Sequence, residues 1–92
     1  MQQASESVIG RALLRWLGMN WKKVEAVLGY AEPGPLLRAA NGPGPRGGAK
    51  YSPTDIARLA HARAVIGNEV LSFNDLTVDE ARRLQAAYLS VL

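Results

Sequence analysis

The stretch Val8 to Gly29, VIGRALLRWLGMNWKKVEAVLG, decides how the rest of the chain is read. Its first half carries Ile9, Leu13, Trp16 and Leu17 at spacings that form one stripe of an amphipathic helix. Ser5 or Ser7 can supply the side-chain oxygen that satisfies free amides at the start of that helix. Gly18 follows the last apolar position, where glycine commonly ends a helix by entering the left-handed region without a Cβ penalty. Asn20 can then cap a second helix, with Trp21, Val24, Val27 and Leu28 on its apolar side and Lys22, Lys23 and Glu25 elsewhere, before Gly29 stops it. These local signals predict two short helices joined by a tight turn at Gly18-Met19.

Working outward, Gly34 lies between Pro33 and Pro35, and Leu36-Leu37-Arg38 is short enough for a single strand. From Gly42 to Gly48 every residue except Arg46 is glycine or proline, so no packed element is expected there. The flanks, Leu36 to Ala39 and Ala49 to Tyr51, are predicted to pair as a small β-hairpin with this segment as its tip. Ser52-Pro53-Thr54-Asp55 combines a serine cap, a proline at the first helical position and an early acid, which predicts a third helix running to about Ile66 with Gly67-Asn68 as its stop. Thr77-Val78-Asp79-Glu80 repeats the capping pattern ahead of a fourth helix with Ala81, Leu84, Tyr88 and Val91 at helical spacing. The expected fold is mainly α: a winged helix-turn-helix of four helices with a small β-hairpin wing, forming one domain over 1–92 with 1–7 flexible.

Composition narrows the chemistry. The chain has 92 residues, 48% of them hydrophobic, so a single core can form. It has no cysteine and one histidine, His61, which argues against disulfides, thiolate or histidine metal clusters and cysteine nucleophiles. No basic stretch leads into an apolar run at the N-terminus, and no apolar run approaches the ~20 residues of a membrane span. A cytoplasmic, nucleoid-associated protein is therefore expected. The net charge of +3 is unevenly spread, with seven cations against three anions up to Tyr51 and four against five beyond it. A polyanion-binding face attached to a neutral support would produce this asymmetry.

Candidate functional residues follow from that layout. Lys22 and Lys23, with Asn20 and Trp21 beside them, stand in the first turn of the expected second helix, where helix-turn-helix proteins meet base edges and phosphates. Arg46 at the tip of the Gly/Pro segment and Lys50 near its base suit a wing that tracks the backbone or enters the minor groove. The same segment is not a phosphate-binding P-loop: Pro43 and Pro45 have no amide hydrogens, and Ala49 separates Gly48 from Lys50. His61 has no serine or cysteine near it in sequence to form a catalytic pair. Asp79 and Glu80 diverge by about 100° on a helix and suit its start rather than acid-base chemistry. No catalytic set is assembled, so an enzyme is not expected, nor is any cofactor or metal.

Together, Ile9-Gly10, Leu17-Gly18-Met19-Asn20, Gly34-Pro35-Leu36-Leu37-Arg38, Tyr51 through Leu59 and Thr77 through Leu84 resemble the DNA-binding domain of the MerR family of winged-helix proteins. The resemblance implies a second helix in the major groove, a wing on the flanking backbone, and a tyrosine that supports the wing or touches a phosphate. By position these roles fall on Lys22 and Lys23, on Arg38, Arg46 and Lys50, and on Tyr51. Glu25 and Ala26 depart from the family pattern, as do the extra residues around Tyr30 to Pro33. Family regulators continue into a long dimerisation helix and a sensor domain, which this sequence lacks, so no small-molecule effector is expected. The implied function is sequence-selective double-stranded DNA binding by a small transcription regulator or phage-type excisionase, with side-by-side self-association on DNA. The alternative is a protein-interaction adaptor on the same fold.

Overall fold

A computed structural model of the chain describes residues 3–29, 31–42 and 51–92. Among them are four α-helices, α1 (Val8–Leu28), α2 (Pro35–Ala40), α3 (Pro53–Ile66) and α4 (Val78–Val91), with single 3-10 turns at Ala4–Glu6 and Phe73–Asp75. The described residues contain no strand, only an isolated antiparallel bridge between Gln3 and Thr77. The mainly helical class expected from sequence is therefore present, whereas the hairpin is not.

The largest difference from expectation lies in Val8 to Gly29. The expected turn at Gly18-Met19 does not form, and α1 runs through it without interruption. The reason is the phase of a stripe comprising Gly10, Leu14, Leu17, Trp21, Val24 and Leu28. At about 100° per residue these positions stay within roughly 40° of one line only if the helix continues. Leu17, Trp21 and Val24 on that line are buried, while Gly18 and Met19 face away from it and are exposed. A glycine inside a helix costs about 1 kcal/mol relative to alanine. Burying each large apolar side chain contributes about 1.5–3 kcal/mol, so the shared stripe outweighs the local stop signal. Asn20, expected as a cap, instead donates from Nδ2 to the Trp16 carbonyl at 2.9 Å. The helix ends at Gly29, as expected, with φ 75°.

The expected strand at Leu36 to Ala39 is helical, within α2. Gly34, its N-cap, has no side chain to offer, and the cap comes from Glu69. The Glu69 carboxylate accepts from the Leu36 amide at 2.9 and 3.0 Å and from the Leu37 amide at 3.2 Å. A Cβ at Gly34 would collide with the Glu69 and Arg63 side chains, so the close approach requires glycine. A cap supplied from 33 residues away leaves no trace in the local pattern. With the first strand helical, the β-hairpin wing is not formed as predicted. Residues 43–50, which hold most of the expected tip and the start of its second flank, lie outside the described residues.

The third helix starts and stops, and the fourth starts, as the sequence predicts. Ser52 Oγ accepts from the Asp55 amide at 3.1 Å, and Gly67 ends α3 in the left-handed region. Thr77 and Glu80 form a reciprocal capping box at 3.1 and 2.9 Å. The segment before α1, expected to be loose, packs down from Gln3 onward: Ala4 is fully buried and its amide donates to the Leu76 carbonyl at 2.8 Å. Helix α1 comes close enough for this because residue 10 is glycine; a Cβ there would overlap the Ala4 backbone. Helices α1 and α4 start side by side and run in the same direction, with Ser7 to Ile9 beside Thr77 to Asp79, and Trp16 and Trp21 beside Tyr88. Helix α3 closes the core with Leu59, Ala62 and Ile66.

Candidate nucleic-acid interface

Continuity of α1 changes which side chains share a face. Arg11, Arg15, Gly18 and Lys22 are separated by four, three and four residues, so they form one line on the exposed side of the helix, with Lys23 beside it. At 1.5 Å per residue the line is roughly 16 Å long. Gly18 leaves a low point in its middle, where a Cβ would meet no other atom within 4 Å. None of these four cations meets a carboxylate within 4 Å among the described residues. The one acid on α1, Glu25, is engaged elsewhere, accepting from Trp21 Nε1 at 2.8 Å. Helix α1 thus presents four unneutralised cations along one exposed side.

The sequence-predicted site residues divide accordingly. Lys22 and Lys23 are exposed, and the structure joins them to Arg11 and Arg15, which the sequence reading passed over. The missed signal was the spacing 11, 15, 22, which acquires meaning only once Gly18 is inside a helix. Trp21 is 2% exposed and stands in the core, and Asn20 is tied to its own helix. Arg38 is exposed on α2 but paired with Glu32 at 2.6 Å, and its Nε donates to the Pro33 carbonyl at 3.1 Å. Tyr51 is half-buried: its hydroxyl donates to the Leu71 carbonyl at 3.2 Å and its amide donates to Asn41 Oδ1 at 2.8 Å. The hydroxyl bond ties the chain before α3 to Leu71, in the connection between α3 and α4. Arg46 and Lys50 lie outside the described residues.

Inside the domain, His61, Tyr88 and Trp21 pack with their rings tilted against one another, centroids 5.5 to 5.8 Å apart, and Trp16 lies 6.1 Å from Tyr88. Burial lowers the His61 imidazole below its ordinary range. Burial raises the Tyr88 hydroxyl far above its usual value, with the Arg58 guanidinium pulling weakly the other way. Arg58 itself pairs with Asp55 at 3.0 Å and lies 4.6 Å above the Phe73 ring. Tyr88 is fully buried and its hydroxyl has no hydrogen-bond partner among the described residues, so this group is enclosed in the core. No cluster of three or more potential metal ligands exists among the described residues. No helix is long and apolar enough to cross a membrane, again among the described residues.

Comparison with protein-family models, with curated proteins and with solved structures finds no match in any of the three.

Proposed function

We propose that the chain binds double-stranded DNA through the exposed cationic side of α1, acting as a small regulator or architectural factor. The observation that carries this reading is the line Arg11, Arg15, Lys22, with Lys23 beside it, free of carboxylate partners among the described residues. A helix about 10–12 Å across fits a major groove about 12 Å wide. Cations along its outer side neutralise phosphates and release counterions, which supplies affinity. Arginine also offers a bidentate fork to guanine edges, which supplies selectivity. The resemblance to the MerR family implied the same partner through a separate recognition helix and a hairpin wing, neither of which is present among the described residues, so the reading rests on the long basic helix alone.

Fluorescence anisotropy of a labelled random duplex across a salt series tests the proposal. Binding should weaken steeply with salt, and the combined Arg11→Gln, Arg15→Gln, Lys22→Gln variant should lower the slope of log K against log salt by roughly 0.9 per lost phosphate contact. Arg38→Gln, already paired to Glu32, should leave the slope unchanged. A folded protein that binds no duplex at low salt, or a triple variant with an unaltered slope, would overturn the reading and favour a protein-interaction adaptor.

A further inference from the structure

We propose that the N-terminal ends of α1 and α4 form the contact face of a two-fold homodimer, in which Asp79 and Arg82 of one copy pair with Arg82 and Asp79 of its partner. An open cleft of about 480 Å³ lies where the two helices start, lined by Val8, Ile9, Val78, Asp79 and Arg82, among others. Val8 is 74% exposed and Ile9 59%, two adjacent large apolar side chains at the mouth of the cleft. Beyond Ile9 the depression continues into a shallow hollow bounded by Leu13, Trp16 and Gln85.

The charges of the cleft select the occupant. Asp79 and Arg82 are three residues apart on α4 and therefore share a face. Neither has an ion-pair partner among the described residues. A two-fold interface presents the same patch twice and must be complementary to itself. One acid and one base, a turn apart and flanked by valine and isoleucine, meet that condition. With the axis passing between them, the two α4 helices lie antiparallel, both ion pairs form together, and the apolar side chains of the two copies cover one another. The patch has no net charge, so it does not suit a nucleic acid. On α1, Val8 stands one turn before Arg11 on the side that carries the cationic line, whereas Ile9 is turned about 100° from Val8 and lies beside Gln85 of α4. The inference rests on the cleft and its paired charges, not on DNA binding.

Sedimentation equilibrium of the full chain, without nucleic acid, tests it. The unaltered protein should dimerise at submillimolar concentration. Asp79→Arg and Arg82→Asp should each weaken the dimer by about tenfold or more, because like charges then face one another across the axis. Mixing these two variants should restore a heterodimer of near-original affinity, since both cross-axis pairs are again opposite in sign. Val8→Asp should also give monomers. Should Asp79→Arg disturb the start of α4, seen as a lowered melting temperature, Asp79→Asn replaces it and should weaken the dimer while keeping the fold. A monomer at all accessible concentrations, or natively folded single variants that fail to recover association on mixing, overturns the proposal.

Discussion

Replacing Gly18 with alanine gives opposite signs for the two conformations that this residue could adopt. Gly18 lies in the middle of α1 with a helical backbone, and a Cβ there meets nothing within 4 Å. The substitution therefore adds no clash and removes the conformational freedom that glycine gives the unfolded chain. The helix-propensity difference is about 1 kcal/mol in favour of alanine. For a domain of this size such a gain raises the melting temperature by roughly 4–8 °C, measurable by far-ultraviolet circular dichroism with a matching shift in urea midpoint. Had the chain turned at Gly18-Met19 with a left-handed glycine, alanine would instead cost about 1–2 kcal/mol and lower the melting temperature. Gly29 and Gly67, with φ of 75° and 92°, supply the internal contrast: alanine at either should destabilise by about 1 kcal/mol. A Gly18→Ala protein that melts below the original would refute the continuous helix, and with it the alignment of Arg11 and Arg15 with Lys22.

Other substitutions probe the remaining contacts. Gly10→Ala forces a methyl group into the Ala4 backbone and should cost about 1–3 kcal/mol in urea denaturation; a neutral result would mean that the Ala4–Glu6 turn is not packed on α1. Glu69→Ala removes the cap of α2 and should cost about 0.5–2 kcal/mol, with faster hydrogen exchange at the Leu36 and Leu37 amides and unchanged exchange in α4. Tyr88→Phe deletes a buried hydroxyl with no partner among the described residues and should stabilise by about 1 kcal/mol; a loss of stability would contradict that geometry. Because burial lowers the folded-state pKa of His61 below 6.5, the unfolded chain takes up its proton first on acidification. The His61 contribution to stability is thus fully present above about pH 6.5 and lost as pH falls through its folded value, and His61→Gln should flatten denaturation midpoints across that window.

Signals confined to a few neighbouring residues were legible in the sequence. The caps Ser52 and Thr77, the proline at the start of α3 and the glycine stops at Gly29 and Gly67 each act through a residue's own backbone and its nearest amides, so α3, α4 and the end of α1 could be read directly. Lys22 and Lys23 were legible as surface cations for the same reason. What tertiary structure decided was every choice in which a local signal met a distant partner. Gly18 reads as a stop, yet Leu17, Trp21 and Val24 enter a common core only if the helix passes through it. Leu36 to Arg38 reads as a strand, yet the Glu69 carboxylate holds its amides in a helix. Arg11 and Arg15 gained their relation to Lys22 in the same step, because two helices separated by a turn have no fixed angular phase, whereas one continuous helix sets it at 100° per residue.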